Sequence, residues 1–543
     1  MSLTVAELAV QSLIENGIDT LYCVPGVQND PFFDALYDHA QKLTPIQARH
    51  EQGAAYMALG AALATGRPQA FSLVPGPGFL NGCAALCTAY SLNAPLFALI
   101  GQIPSRAIGK QFGLLHEIDD QLEILQSMTK FAVRVIDAGE AASIFADAWT
   151  ALRTGRPRPV GVEVPVDIWR GASTAAAGSL AINPPAPEPV PAKAISAAAA
   201  MITTAKRPLI VVGSGAQDHS AEIRKMAAEI GAGVMTFRTG HGVMDSTDPQ
   251  CITMPVGHSL WPECDLVIGL GTRLTTQKIE WGVDDNLQIL HIDIDPEIPD
   301  RGPPATLKII ADLKMALPAL FAAIAGGQPD RSGWCQTISE TKLRFADLFA
   351  EKLGPQLGFL AAIRNALPED GIFVDELTQI GYVSRFTFPS YHPRTFLSTG
   401  YQGTLGWGLA TAMGAAHARR DVPVVSIAGD GGAMFTIAEL ASAALHNIPV
   451  NIIVMNDNAF GNVRGIQRDK FNERYIASNL TSPDFVQLAQ SCGVTAAKAT
   501  TPAELEAELR KAIQHDGPNL IEVPVGEFPS PWEFILMPKL RGV

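Results

Sequence analysis

The stretch at positions 427–463, IAGDGGAMFTIAELASAALHNIPVNIIVMNDNAFGNV, decides how this chain is read. It opens at the end of one apolar run, VPVVSIA, and contains a second, VNIIVM; both are of strand length and free of polar alternation. Between them TIAELASAALHN has helical spacing, and Thr436 and Glu439 stand three apart as in a capping box. The segment therefore predicts a strand–helix–strand unit, with GDGGA as the loop that closes the first strand. Strands without alternation are buried on both faces, and a helical crossover makes neighbouring strands parallel. Asp430 and Asp457 then stand at the carboxyl ends of adjacent buried strands, the edge at which open α/β sheets bind their ligands.

Acids at that edge need an explanation in charge. Gly429, Gly431, Gly432 and Ala433 are small enough for backbone N–H groups to approach phosphate oxygens. Asp430 would repel a bare phosphate, so it belongs beside one only with a divalent cation between them. Two carboxylates, a backbone carbonyl and diphosphate oxygens make the hard oxygen shell that suits Mg²⁺. Singly, GDGG is equally readable as a tight turn and NDN as an exposed capping loop. The pair across one strand–helix–strand unit favours the metal.

The same rhythm runs along the rest of the chain in AFSLVPG, APLFALIG, RPLIVVGSG, DLVIGLGT and QILHIDID. It predicts an α/β protein of three doubly wound parallel-sheet domains. Two stretches lose the rhythm: 171–194, rich in Ala, Pro and Gly, and 326–355, which runs from GGQPDRSGW into a polar helical segment. The domains are then 1–170, 195–325 and 356–543. The first and third repeat one order of helix, strand, glycine turn, helix and strand, but Gly76-Pro77-Gly78 in the first becomes Gly429-Asp430-Gly431 in the third. One copy has gained an acid, as a division of labour requires.

Composition narrows the function. Of 543 residues, 47% are hydrophobic and 17% charged, with a net charge of −14, which argues for a well-buried protein and against nucleic acid or an anionic membrane as partner. A small molecule is the expected partner. Apolar runs break before the roughly 18 residues a membrane span needs, and MSLTVAELAVQSLIENGID shows no secretory pattern. Seven scattered cysteines fit reduced thiols, so the cytoplasm is the expected location. Cys83 and Cys87 lie one helical turn apart without further soft ligands nearby and are read as packing.

On the GDG and NDN segments, the chain resembles the thiamine diphosphate enzymes of the acetolactate synthase, pyruvate oxidase and 2-oxoacid decarboxylase group. Their motif, GDG followed by Asn-Asn, appears as Gly429-Asp430-Gly431 and Asn456-Asp457, with Asp in place of the second Asn. The resemblance covers essentially the whole chain and implies a pyrimidine-binding domain at 1–170, a central nucleotide-binding-like domain at 195–325 and a diphosphate-binding domain at 356–543. It implies Mg²⁺ on Asp430, Asp457 and the Ala459 carbonyl. RHEQGAAYMALGAA matches the segment of the family's catalytic glutamate, which falls on Glu51. Followed by a small-residue helix with no solvated face, Glu51 is expected to be buried and to need a partner.

By the same resemblance Glu51 bonds N1′ of the aminopyrimidine. TGYQGTLGWG places Leu405 under the bend of the cofactor and the Gly403 carbonyl by its 4′ amine, and DELTQ offers Thr378 and Gln379 to the diphosphate. The activity implied is that of a lyase or carboligase: the thiazolium ylide adds to a 2-oxo acid, CO2 leaves, and the enamine attacks a second carbonyl. His116, in GLLHEIDDQ, falls at a substrate-side position, and a histidine there is either a proton donor or a group satisfied by nearby backbone.

Some positions depart from acetolactate synthases. Ile466 stands where they have a Trp at the acceptor pocket, and Pro25-Gly26-Val27 where they have PGG. A non-ligating 2-oxoacid decarboxylase or an oxalyl-CoA-type lyase is therefore the alternative, and an inactive nucleotide-binding scaffold the remote one. VVGSGAQD is a partial dinucleotide signature. GTR and HIDIDPEI resemble flavin-side strands, but the segment between MPVGHS and ECDLVIG is short for a flavin-contacting loop. A vestigial nucleotide domain is preferred over bound FAD. The family places Glu51 and the metal in different subunits, so a homodimer or homotetramer is expected. The apolar C-terminal PSPWEFILMPKLRGV is expected to cover an active site, an interface or plain core.

Overall fold

A parallel neighbour can be reached only through a crossover, so apolar runs separated by helix-length segments assemble into parallel sheets. In a computed structural model, which describes residues 3–174 and 180–542, they form three sheets of six strands each. Residues 175–179 of the expected 171–194 linker lie outside the described residues. The first sheet contains β1 (Thr20–Cys23), β2 (Thr44–Gln47), β3 (Gln69–Leu73), β4 (Leu96–Gln102), β5 (Phe131–Arg134) and β6 (Val160–Pro165). The second contains β7 (Pro208–Val212), β8 (Gly233–Thr236), β9 (Cys251–Ile252), β10 (Leu266–Leu270), β11 (Gln288–Asp293) and β12 (Leu307–Ile310). The third is built from β13 (Ile372–Val374), β14 (Phe396–Leu397), β15 (Val424–Gly429), β16 (Val450–Asn456), β17 (Thr495–Lys498) and β18 (Asn519–Pro524).

The chain divides into two compact units, one of Met1–Pro185, Thr399–Thr500 and Glu508–Val525, the other of Ala186–Ser398, Thr501–Ala507 and Gly526–Val543. In the first unit the order β3-β4-β6-β5 returns as β15-β16-β18-β17, and the β1–β2 pair has its counterpart in β13–β14 of the second unit. The two sister regions of the sequence thus share a topology as well as a rhythm.

The unit also shows why the small residues follow Glu51. Helix Glu51–Thr65 packs on helix Trp407–Ala418, and residues Ala54–Leu59 and Leu409–Ala410 are fully buried. A Cβ on Gly60 would lie 1.9 Å from the Thr411 carbonyl oxygen, and one on Gly414 would lie 1.8 Å from that of Met57. The two helices therefore touch backbone to backbone, a distance only glycine allows.

In the second unit the order β12-β11-β10-β7-β8-β9 is doubly wound about the β7–β10 junction. Leu209 and Val211 of β7 face a core with Met235 and Trp261, while Ile210 and Val212 face another with Ile268 and Ile292. Both faces are covered, as unalternating strands require. Of the stretch 326–355, Ser332 onward belongs to a long helix, Ser332–Ala366, kinked at Leu353. Among the described residues no helix is long and apolar enough to cross a membrane.

The C-terminal segment packs within this unit. Arg541, 5% exposed, donates to the carbonyls of Trp261, Pro262 and Cys264 and pairs with Asp284 at 2.7 Å. Of the readings open for this tail, plain core contact describes its last turn.

Candidate active site

β15 and β16 lie side by side with Gly429 opposite Met455, so the chain leaves both strands at one edge. Asp430 begins a short helical turn, Asp430–Ala433, where a loop was expected. The chain turns at once because Gly431 has room for no side chain: a Cβ there would meet Phe460 at 2.7 Å. Asp430 is 1% exposed. Its Oδ2 accepts from Ser482 Oγ at 2.6 Å, and its Oδ1 has no hydrogen-bond partner. A buried carboxylate oxygen left without a donor is costly unless a cation or ligand completes it.

The next strand end is tied to the same point. Asp457 Oδ1 accepts from Ala459 N at 3.2 Å, folding the turn so that both expected ligands belong to one loop. Asn458, at φ +53, accepts from Ser482 N through Oδ1 at 3.3 Å and from Leu480 N through its carbonyl at 2.8 Å. Ser482 therefore bonds both the Asp430 carboxylate and the Asp457 loop. No sequence motif marks it. Asn456 is held by Glu522 on β18 at 2.9 Å. Among the described residues no three His, Cys, Asp or Glu side chains gather as a metal site by themselves, so any cation here needs oxygens from a bound ligand.

The capping box does not form. Helix Glu439–Leu445 has Ala438 at its N-cap, and the Glu439 amide donates to the Thr436 carbonyl at 3.0 Å, leaving nothing for a threonine hydroxyl to cap. Thr436 Oγ1 donates instead to Gly406 O at 3.2 Å. The Glu439 carboxylate accepts from Arg49 N and His50 N at 2.9–3.1 Å and from Ser442 Oγ at 2.7 Å. Converging amides offer a buried carboxylate more than its own helix end does. Burial nonetheless raises the Glu439 carboxyl above its ordinary value, and the bonds from Ser442, Arg49 and His50 only partly offset this. A spacing read as local is thus a long-range clamp on the residues just before Glu51.

Glu51 is the first residue of its helix, after His50 at the N-cap. It is half-buried, not buried as expected, because the buried run of its helix begins two residues later, at Gly53. Its Oε2 accepts from Asn81 Nδ2 at 2.9 Å. Asn81 lies in the first turns of helix Pro77–Leu92, which follows the Gly76-Pro77-Gly78 turn. His116 is also half-buried and takes a left-handed conformation, φ +68. Its Nδ1 lies 3.0 Å from Gln28 Oε1, while Gln28 Nε2 donates to Leu115 O at 3.1 Å. That amide orientation makes Nδ1 the donor and, in the neutral ring, Nε2 the acceptor nitrogen.

Gly403 (φ +58) is exposed and Leu405 half-buried in the turns before helix Trp407–Ala418. In the second unit, Thr378 is 6% exposed and its Oγ1 has no hydrogen-bond partner. Gln379 starts helix Gln379–Thr387 and bonds Gly526 O at 3.2 Å and Phe528 N at 2.7 Å. Asp375, just before it, is buried and paired with Arg385 at 2.7 Å.

The three domains also match known proteins. Residues 3–124 match the N-terminal TPP binding domain of thiamine pyrophosphate enzymes, residues 195–320 their central domain, and residues 378–523 their C-terminal TPP binding domain. The chain belongs to the thiamine pyrophosphate enzymes, in their acetolactate synthase-like group. It is 31% identical to a probable acetolactate synthase large subunit of Methanocaldococcus jannaschii, over 95% of this chain and 91% of that one. It is 30% identical to the acetolactate synthase isozyme 1 large subunit of Escherichia coli, over 96% and 93%. It is 28% identical to a probable 2-ketoarginine decarboxylase of Pseudomonas aeruginosa, over 96% and 94%.

Proposed function

We propose that this enzyme uses thiamine diphosphate with Mg²⁺ to remove CO2 from a 2-oxo acid and join the remaining acyl unit to a second carbonyl compound. The observation that carries the reading is the orphaned Oδ1 of the buried Asp430, beside a strand end that offers Asp457 and the Ala459 carbonyl. These three would hold the cation, and the Asp430–Ala433 turn would present its amides to the diphosphate. Within the second unit, the Thr378 hydroxyl is buried without a hydrogen-bond partner, which suits a polar ligand there, and Gln379 follows it in the chain. When bound, thiamine diphosphate supplies an electron sink for the carbonyl carbon that loses CO2.

The protein's own residues set the proton inventory. Glu51, oriented by Asn81, would share a proton with N1′ of the pyrimidine. Leu405 would support the bend of the cofactor and the Gly403 carbonyl would accept from its 4′ amine. His116, with Nδ1 engaged by Gln28, would offer Nε2 to the substrate carboxylate or carbonyl. We read the assembly as a cytoplasmic homodimer or homotetramer in which Glu51 of one subunit serves the metal site of another.

Simple decarboxylation is the second reading. It is favoured by Ile466, 36% exposed on the solvent-facing helix Gly461–Lys470, in the place where the family has an acceptor-shaping Trp. In the central domain, Gly215 N donates to Gly271 O at 3.1 Å, and a Cβ on Gly213 would lie 2.5 Å from that same oxygen. Amides used in loop packing are not offered to a dinucleotide, which supports a nucleotide fold without resident FAD.

The test follows CO2 release from a panel of 2-oxo acids, with thiamine diphosphate and Mg²⁺, in the presence and absence of a second oxo acid or aldehyde. A ligated product is expected; an aldehyde alone would select the second reading, and no CO2 from any donor would reject both.

A further inference from the structure

The turn Gly76-Pro77-Gly78 lies against both residues assigned chemistry in the first domain, the backbone of His116 and the side chain of Glu51. A Cβ on Gly76 would lie 2.4 Å from the His116 carbonyl oxygen, and one on Gly78 would lie 3.5 Å from Glu51 Oε1. Gly76 is also the N-cap of helix Pro77–Leu92, at φ +59, and its carbonyl accepts the first helical bond from Leu80 at 2.9 Å. That helix carries Asn81, the donor to Glu51. Any shift of Gly76 therefore moves the His116 backbone on one side and the Asn81–Glu51 bond on the other.

A left-handed N-cap with no side chain cannot hold itself, so an outside group has to do so. The Gly76 amide donates to Gln121 Oε1 at 2.8 Å. Gln121 is 1% exposed, and its amide can point only one way. Nε2 donates to Glu163 Oε1 at 2.8 Å and to Gly101 O at 3.1 Å, both acceptors, which turns Oε1 toward Gly76. Glu163 is fully buried on β6, where its register partner on β5 is Arg134, and Arg134 Nε donates to its Oε2 at 2.7 Å. The network thus runs from cation to carboxylate to amide to glycine turn. Glu163 accepts from Gln121 and Arg134 and has a further side-chain hydrogen bond with Gln102.

We propose that Gln121, with its amide oriented by Glu163 and Arg134, is the positioning residue that holds the glycine turn lying against Glu51 and His116. The inference rests on the proposed roles of Glu51 and His116 for its effect on catalysis, but not for its effect on the turn. Gln121→Met keeps the volume and removes the acceptor. The exchanged pair, Gln121→Glu together with Glu163→Gln, keeps one carboxylate and one amide in the network, so it restores an acceptor for the Gly76 amide and a donor between positions 163 and 121 without facing two carboxylates.

Two measurements test it on the full-length chain. The first is amide hydrogen exchange of Gly76 in the cofactor-free protein, where Gln121→Met should exchange at least tenfold faster than wild type and the exchanged pair should recover most of the protection. The second is steady-state kinetics with thiamine diphosphate and Mg²⁺. There Gln121→Met should lower kcat by roughly ten- to a hundredfold, as misplacement of a catalytic group by about 1 Å does, with KM for the 2-oxo acid within about threefold of wild type. The exchanged pair should regain most of kcat. Unchanged Gly76 exchange in Gln121→Met overturns the proposal, as does faster exchange with wild-type kcat. A wild-type chain without any thiamine diphosphate-dependent turnover rejects the reading of function instead, and Gly76 exchange then decides the turn-holding role alone.

Discussion

The first and third sheets carry the same strand order and differ in what stands at one turn. After β3 comes Gly76-Pro77-Gly78, whose helix offers Asn81 to a glutamate from elsewhere in the domain. After β15 comes Gly429-Asp430-Gly431, which places a buried carboxylate with a free oxygen at the equivalent edge. The fold supplies the edge in both cases. A single acid distinguishes the two turns, and under the proposed function it would make one of them fit for a cation, so that the sister regions would take opposite ends of one cofactor.

The comparison breaks most visibly at Glu51. Glu51→Gln keeps the shape and the Asn81 contact, so cofactor-dependent turnover should fall by about 10²–10⁴-fold, the span of a lost general acid–base group, while the midpoint of thermal unfolding stays put. Wild-type turnover in this variant would dissolve the division of labour. Next comes the crossing that binds the two regions. Gly60→Val would drive a side chain into the Thr411 carbonyl and should cost at least about 3 kcal/mol in urea unfolding, the upper range for overpacking. Gly414→Val should cost a similar amount, because the contact is reciprocal.

A smaller effect sharpens the long-range clamp. Burial lifts the Glu439 carboxyl above 4.5, so the native state retains a proton that the unfolded chain has released. Its contribution to stability is full below pH 4.5 and is lost as pH rises through the raised native value. Glu439→Gln should flatten that slope in pH-dependent thermal unfolding, and should lose about 1–3 kcal/mol because Gln can no longer satisfy two backbone amides and Ser442 as a carboxylate does. The smallest change is expected at Asp457→Asn, which keeps an oxygen ligand and removes a charge. The Mg²⁺ concentration for half-maximal activity should rise by about threefold to tenfold, with binding of thiamine diphosphate retained at saturating Mg²⁺.

Much of this was legible in the sequence because it rests on short-range pattern. Unalternating strands such as VPVVSIA and VNIIVM announce parallel sheets, and the small residues after Glu51 announce a buried helix. What the sequence hid is carried by partners far apart in the chain. Glu439 and Thr436 have the spacing of a cap, yet Glu439 reaches Arg49 and His50, and only the packed sister helices bring those amides to it. Ser482 sits in an unremarked loop and becomes the link between Asp430 and Asn458. Glu51 itself was expected to be buried by its helix, but a first-turn residue lies at the helix mouth, where exposure is set by neighbours the helix pattern does not describe. The strand-end position of Asp430, by contrast, follows from its glycines, because a strand followed by a forced turn sets the acid at the sheet edge.

The central claim is that the third-sheet turn takes its diphosphate through a metal held by Asp430. Calorimetric titration of thiamine diphosphate into wild-type protein and Asp430→Asn, each with Mg²⁺ and with chelator, tests it most directly. The account predicts saturable binding to wild type only with Mg²⁺, accompanied at a ligand concentration of 100 Kd by about 2.7 kcal/mol of added stability, and neither effect in Asp430→Asn. Binding of equal strength in chelator, or in the variant, would contradict it.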